Sequence, residues 1–91
     1  MKIEVRLFAN LRSYLPPSSD GAKTQLEVAD NTRLREVIGQ LAIPPQLAQL
    51  VMVNGEHVSD RNRVLSDGAV VSIFPPVAGG GFIEDGGRES S

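Results

Sequence analysis

The folded part of this chain is predicted to stop at two prolines that follow a β-rich run. Residues 72–74 have the composition of a strand, and the two prolines after them have no backbone N–H to donate to a neighbouring strand. Three consecutive glycines follow at residues 79–81, and without a Cβ they can pass through a slot too narrow for other residues. We therefore predict a folded domain over residues 1–76 and a flexible, glycine-rich tail over residues 77–91.

The composition is that of one small globular domain. The chain has 91 residues, of which 41% are hydrophobic and 22% are charged. Its formal net charge of -2 leaves no surplus of lysine and arginine, so we expect no nucleic-acid partner. Charged and apolar residues alternate at the start of the chain, which argues against a signal peptide and a membrane span. The cytoplasm is the expected location.

The chain contains no cysteine, which excludes disulfides, thiolate metal sites and side-chain persulfides. Its one histidine, His57, follows a predicted turn and has no second metal ligand beside it, so we interpret it as a solvated surface residue. We expect neither a bound metal nor a bound cofactor. Any sulfur chemistry would have to use something other than a side-chain thiol, and a backbone carboxylate is the remaining candidate.

Two strands are predicted in the first third of the chain. Apolar residues alternate with polar ones over residues 2–9, which indicates a strand with one buried face. Residues 10–15 are predicted to form a helical turn that places Leu11 and Leu15 on the core. The alternation returns at residues 24–29, so we expect the first two strands to form an antiparallel hairpin with a long connection.

One helix is predicted in the middle of the chain. Its apolar residues recur at the i, i+3, i+4 and i+7 spacing of one helix face, at Leu34, Val37, Ile38 and Leu41. Residues 30–32 are N-cap candidates because their side chains can accept hydrogen bonds from the first helical amides. Pro44 ends the helix, and Ile43 is the last residue expected to be helical.

The last part of the chain predicts three more strands. Residues 50–53 are apolar, Asn54 and Gly55 form a tight-turn signal into residues 56–58, and residues 69–74 form the final strand. This order predicts an α+β fold of the β-grasp (ubiquitin-like) type, with a mixed sheet of four or five strands crossed by one main helix. The final strand should then lie beside the first.

The parity of the strands predicts an apolar patch on the face of the sheet opposite the helix. Phe8, Met52 and Phe74 fall on that face, close to the start of the tail, and contiguous exposed apolar area usually marks a partner site. The alternative is that these residues pack under a loop, or that the register differs by one. Five arginines could help to dock an acidic partner, but arginines on strands and helices are ordinarily solvated, so we interpret them mainly as surface residues: Arg6, Arg33, Arg35, Arg61 and Arg63.

Two motifs resemble a known family. Residues 3–12, Ile-Glu-Val-Arg-Leu-Phe-Ala-Asn-Leu-Arg, are similar to the opening strand and turn of the small subunit of molybdopterin synthase, in the MoaD/ThiS group of ubiquitin-like sulfur carriers. Residues 74–80, Phe-Pro-Pro-Val-Ala-Gly-Gly, resemble the terminal motif of that subunit. The turns at residues 53–55 and 65–68 also fit, so the resemblance covers residues 1–80.

The resemblance implies a carrier that is not an enzyme on its own. An E1-like (MoeB-like) adenylyltransferase would consume ATP to activate the carboxylate of Gly80 or Gly81, with Gly79 beside it. The tail with the resulting thiocarboxylate would insert into a MoaE-like large subunit. There it would deliver its sulfur to the pterin precursor of a molybdenum or tungsten cofactor. The residues implied in partner binding are Phe8, Arg12, Met52, Phe74, Pro75, Pro76, Val77 and Ala78.

The chain departs from the family at its end, because family members stop at the second glycine and residues 81–91 follow here. The interpretation ranked first is that a protease removes these residues. Two others are that the chain is a diverged β-grasp interaction domain without acyl chemistry, and that Gly86 and Gly87 form the functional end. The same carrier chemistry could also serve thiamine synthesis or attachment to protein lysines.

Overall fold

The computed structural model describes residues 1–17 and 19–76. The predicted tail over residues 77–91 lies outside the described residues, so the division at residue 76 stays a prediction. The strands are β1 (Lys2–Leu7), β2 (Lys23–Glu27), β3 (Leu50–Val53), β4 (Glu56–His57) and β5 (Val70–Phe74). The helix α1 covers Leu34–Gln40, and two 3₁₀ helices cover Ala9–Tyr14 and Pro45–Leu47.

The five strands form one mixed sheet in the order β2-β1-β5-β3-β4. β1 pairs antiparallel with β2 and parallel with β5, while β3 pairs antiparallel with both β5 and β4. The first and last strands are therefore neighbours at the centre of the sheet, and α1 is its main helix. The predicted α+β, β-grasp fold is confirmed.

The core lies between α1 and one face of the sheet, and the period-2 pattern predicted which strand residues enter it. Ile3, Val5 and Leu7 of β1 are buried, as are Val71 and Ile73 of β5. The first 3₁₀ helix adds Leu11, which is fully buried, and Leu15 packs partly buried against the same core, as expected. Full burial of an aliphatic side chain contributes roughly 1.5–3 kcal/mol, so this alternation fixes the register of the central strands.

The helix begins later than the sequence predicted. The N-cap is Arg33 and not one of residues 30–32, and the hydroxyl of Thr32 donates to the carbonyl of Ala29 instead. The Arg33 backbone N–H donates to the Glu36 carboxylate at 2.8 Å. Because Glu36 is the third residue of the helix, this bond stabilises the first helical turn.

A distant loop supplies the cap that the local sequence lacks. The backbone N–H of Leu34 donates to the Arg63 carbonyl at 3.0 Å, and the N–H of Arg35 donates to the Arg61 carbonyl at 2.9 Å. These amides are among the first four of the helix, which have no partner inside it. Because backbone carbonyls between β4 and β5 satisfy them, a capping side chain at residues 30–32 is unnecessary.

The helix also ends earlier than expected, and Ile43 is not helical. The C-cap is Leu41, and Ala42 adopts a left-handed conformation with φ of 62°. The N–H of Ala42 donates to the Gly39 carbonyl at 3.0 Å, and the N–H of Ile43 donates to the Ile38 carbonyl at 3.1 Å. This is a Schellman motif, which turns the chain sharply and returns Ile43 to the core.

The predicted Asn-Gly turn between β3 and β4 is confirmed. Asn54 and Gly55 both have positive φ, of 53° and 85°, as a type I′ hairpin turn requires. Asn54 also binds the start of β5, because its N–H donates to the Val70 carbonyl at 2.8 Å and its side-chain oxygen accepts from the Val70 N–H at 2.9 Å. The turn therefore joins three strands.

Candidate functional site

The chain leaves the sheet at the end of β5. The Phe74 carbonyl accepts a hydrogen bond from the Gln49 N–H at 3.0 Å, which holds the backbone up to this point. Pro75 is half-buried and Pro76 is exposed, and neither belongs to a strand. Since β5 lies between β1 and β3, the chain exits from the middle of the sheet, as the sequence predicted.

Two aromatic rings stack beside this exit. The ring centroids of Phe8 and Phe74 lie 4.2 Å apart, and the ring planes differ by 10°. Phe8 directly follows β1, and its N–H donates to the Ile73 carbonyl at 3.3 Å, which extends the β1–β5 pairing by one residue. Both rings are half-buried on the face opposite α1. The two rings therefore lie together on the face where the strand parity placed them, and their role in partner binding stays a prediction.

β3 continues the apolar surface. Leu50 lies opposite Phe74 and is 38% exposed, and Met52 lies opposite Ser72 and is half-buried. We call the four residues Phe8, Leu50, Met52 and Phe74 the outer-face cluster. Leu50 was not among the residues predicted for this surface, although its strand parity, which is that of Met52, indicates the same face.

Polar residues border the outer-face cluster. Arg6 lies opposite Ser72 and forms an ion pair with Glu4 on the same strand. On the edge strand β4, His57 lies opposite Met52 on the same face and is exposed, which agrees with its interpretation as a surface residue. An apolar centre with a polar rim is the usual composition of a protein interface.

The family resemblance implies that Arg12 binds a partner. In sequence, Arg12 lies shortly after Phe8 of the outer-face cluster. It is exposed on the first 3₁₀ helix, which begins directly after Phe8, and its carbonyl accepts from the Leu15 N–H at 3.1 Å. Leu11 anchors that helix in the core. The helix therefore presents Arg12 from a fixed backbone.

Arg61 has an internal role that the sequence did not indicate. Its guanidinium donates to the Ala48 carbonyl at 2.7 Å and to the Val58 carbonyl at 3.1 Å, both in partly buried surroundings. Longer bonds of 3.3 Å and 3.4 Å reach the carbonyls of Ser59 and Gln49. The interpretation of Arg61 as a solvated surface residue is therefore wrong, because it links the loop after β4 to the segment before β3.

The structure thus brings together part of the predicted site. Phe8, Met52 and Phe74 share one surface, with Pro75 and Pro76 at its exit point. Five predicted site residues lie outside the described residues: Val77, Ala78, Gly79, Gly80 and Gly81. Within residues 1–17 and 19–76, no three histidine, aspartate or glutamate side chains group as metal ligands would. No helix in that same part of the chain is long and apolar enough to cross a membrane.

The sequence matches a known family model over residues 5–80. The chain belongs to the ThiS family. The matched region covers most of the chain and ends at Gly80, the second residue of the glycine run. No curated protein matches this ThiS-family chain in sequence.

Three solved structures share its fold. SAMP1 from Haloferax volcanii has a TM-score of 0.64 at 21% identity, covering 88% of this chain and 100% of its own. A protein from Pyrococcus furiosus, named provisionally as molybdopterin converting factor subunit 1, has a TM-score of 0.63 at 25% identity. The match covers 84% of this chain and 98% of that protein. A complex of subunits 1 and 2 of molybdopterin-converting factor from Helicobacter pylori has a TM-score of 0.54 at 27% identity. The match covers 88% of this chain and 100% of the matched chain.

These comparisons confirm the family that the two sequence motifs indicated. The likeness to SAMP1, at 21% identity, shows the fold alone. The family match and the two molybdopterin-converting-factor structures place the chain among the MoaD/ThiS ubiquitin-like sulfur carriers.

Proposed function

We propose that this chain carries sulfur as a thiocarboxylate on Gly80, for the synthesis of molybdopterin. The observation that carries the proposal is the family match, which ends at Gly80 although residues 81–91 follow it. The similarity to a protein named as subunit 1 of molybdopterin converting factor, and to a complex of subunits 1 and 2 of that factor, favours this pathway over thiamine synthesis. A protease would first have to cut after Gly80, or after Gly81, because a glycine inside a chain has no free carboxylate.

The chemistry requires little from this chain beyond an accessible carboxylate. A carboxylate oxygen attacks the α-phosphorus of ATP on an E1-like enzyme, pyrophosphate leaves, and an acyl adenylate forms. A sulfide-level donor then attacks the acyl carbon and AMP leaves, which gives the thiocarboxylate. We infer that this chain supplies no catalytic side chain, binds no cofactor and contributes the acyl group. Small glycine residues at the end would let the reacting carbon enter a narrow site.

The outer-face cluster is the surface we assign to the large subunit of the synthase. It is apolar, it has a polar rim, and it adjoins the point where the chain leaves the sheet at Phe74. A partner bound there would be placed to receive the residues that follow Pro76. The Helicobacter pylori structure is itself a complex of a subunit 1 with a subunit 2, which supports a partner of that class.

The proposal is tested by comparing chains with different ends. Chains ending at Ala78, Gly80, Gly81 and Ser91 are each incubated with a MoeB-like activating enzyme and ATP, and pyrophosphate release is measured. We expect release with the Gly80 or Gly81 end, and background release with Ala78 and Ser91. Because the glycines lie beyond the sheet, the chains ending at Ala78, Gly80 and Gly81 should unfold at nearly the same temperature.

A second measurement addresses processing in cells. The intact mass of the protein from its native cells should correspond to an end at Gly80 or Gly81, with one oxygen replaced by sulfur in part of the population. A single species ending at Ser91 would contradict the proposal. That result would favour the non-conjugated β-grasp interaction domain, which uses the outer-face cluster without acyl chemistry.

A further inference from the structure

A second apolar surface lies on the helix side of the molecule, opposite the outer-face cluster. It is a groove of about 220 Å³ between α1 and the second 3₁₀ helix. Its lining residues are Arg35, Ile38, Gly39, Ile43, Pro45 and Arg61. The volume is below the roughly 300–1,000 Å³ of small-molecule sites, so the groove suits a few side chains of a peptide better than a cofactor.

The glycine in the groove has no packing reason to be there. Gly39 lies inside α1, where glycine is less favourable than alanine, and a Cβ at this position would meet no atom within 4 Å. A side chain at Gly39 would instead occupy the groove. Glycine therefore keeps the groove open at the expense of the helix, and such departures from local preference are expected at functional positions.

The charges of the chain separate into a neutral body and an acidic extension. Of the nine lysines and arginines, eight lie in residues 1–76, and of the eleven aspartates and glutamates, eight lie there too. The remaining residues are Glu84, Asp85, Arg88 and Glu89, so the whole formal charge of -2 belongs to the extension. The groove is lined by two arginines, Arg35 and Arg61, and so has the opposite charge.

We propose that residues 82–85 of the chain itself, Phe-Ile-Glu-Asp, dock in this groove. The phenylalanine and isoleucine would lie in the groove between Gly39 and Pro45, above a floor formed by the buried Ile38 and Ile43, and the two carboxylates would lie beside Arg35 and Arg61. An apolar pair followed directly by two acids matches an apolar groove with two cations along it. The occupant is thus part of the extension that distinguishes this chain from the family motif.

The connecting chain is long enough for this contact. The Phe74 carbonyl is 3.0 Å from the Gln49 amide nitrogen, and the second 3₁₀ helix joins that point to the groove at Pro45. Gln49 is four positions after Pro45, a span of at most roughly 14 Å. Phe82 is eight positions after Phe74, and a fully extended chain of that length reaches roughly 26 Å.

Docking would hold the glycine run at both ends, at Phe74 in the sheet and at Phe82 in the groove. The uncleaved chain would then present residues 79–81 on the helix side, away from a partner bound on the outer-face cluster. This consequence rests on the proposed function, whereas the docking itself does not. Failure of docking would leave the sulfur chemistry untouched, and failure of adenylation would leave the docking untouched.

Methyl NMR of the full 91-residue chain tests the docking. The five isoleucines each give one δ1-methyl signal, at Ile3, Ile38, Ile43, Ile73 and Ile83. We expect nuclear Overhauser contacts from a phenylalanine ring to the methyls of Ile38 and Ile43. The rings of Phe8 and Phe74 face away from α1, so these contacts identify Phe82.

Matched variants separate docking from folding. The double change Phe82→Ser with Ile83→Ser should remove the contacts and shift the Ile38 and Ile43 methyls, while Arg88→Gln should change neither. Gly39→Glu fills the groove with a like charge and a better helix former, so it should abolish the contacts in a folded chain. Gly39→Ala, which adds only one methyl group to the groove, should weaken them less than Gly39→Glu does.

Two results would overturn the inference. Identical Ile38 and Ile43 signals in the parent chain and in the Phe82→Ser, Ile83→Ser variant would show that the groove is empty of the extension. Contacts that disappear on dilution would show that the segment docks on a second copy and not on its own chain. Intact-mass analysis of each sample confirms that residues 82–91 are still attached.

Discussion

The most direct test of the internal role of Arg61 is its replacement by methionine. Methionine keeps a long unbranched stem but removes every guanidinium donor. The carbonyls of Ala48 and Val58, which accept at 2.7 Å and 3.1 Å, would lose their partners in partly buried surroundings. The bond to Ala48 connects the loop after β4 with the segment before β3, and the bond to Val58 lies within that loop, so the change loosens both the loop and its connection beside the groove.

The expected loss follows from these contacts. A hydrogen bond to a charged group contributes about 1.5–3 kcal/mol, and two of the four bonds lie in partly buried surroundings. The bonds of 3.3 Å and 3.4 Å are exposed and contribute little, and water can reach part of the freed carbonyls. We therefore expect Arg61→Met to lower the free energy of unfolding by about 3 kcal/mol. For a domain of this size that corresponds to a fall in Tm of roughly 15 °C.

Urea unfolding followed by circular dichroism measures this loss, with Arg63→Met as the matched control. Arg63 lies in the same loop and is exposed, and its backbone carbonyl, which accepts from Leu34, remains in the variant. A change within about 0.5 kcal/mol is expected there. Arg61→Lys should recover less than half of the loss, because lysine lacks the planar fork of donors. Equal stability of the Arg61→Met and Arg63→Met chains would refute the internal role.

Two further substitutions test the helix end and the outer-face cluster. Ala42→Gly should raise the free energy of unfolding by about 0.5–1 kcal/mol in urea unfolding, because alanine is strained at the left-handed φ of 62° and glycine is not. Phe74→Ser should weaken binding to a MoaE-like large subunit at least tenfold in calorimetry, by about 1.4 kcal/mol or more. Val70→Ser, on the same face and strand but distant from the chain exit, should leave that affinity nearly unchanged.

The sequence predicted the faces of the sheet well because strand parity is a strict rule. Successive side chains of a strand point to opposite faces, so the buried Val71 and Ile73 place Phe74 on the outer face without further information. The same rule applies to Met52 and extends to Leu50, which was not among the predicted residues because it stands at the first residue of its strand. The fold and most of the outer-face cluster were therefore within reach of the sequence.

The ends of α1 and the role of Arg61 could not be predicted from the sequence. The carbonyls that cap the helix belong to Arg61 and Arg63, far along the chain, and backbone carbonyls carry no sequence signal. Ala42 ends the helix in a conformation that usually indicates glycine, so the turn there had no local signal either. The bonds from Arg61 to backbone carbonyls likewise depend on tertiary contacts, and its sequence surroundings resemble those of the exposed Arg63.

Docking of residues 82–85 and binding of a partner on the outer-face cluster would compete for the same glycine run. A partner that draws residues 79–81 into its own site must first displace the docked segment, so its apparent affinity falls with the undocked fraction. If one chain in ten is undocked, the uncleaved chain binds roughly tenfold more weakly, by about 1.4 kcal/mol. Gly39→Glu should restore that affinity in the full-length chain and leave a chain ending at Gly80 unaffected, as measured by calorimetry. An equal effect of Gly39→Glu on both chains would show that the groove and the glycine run are not coupled.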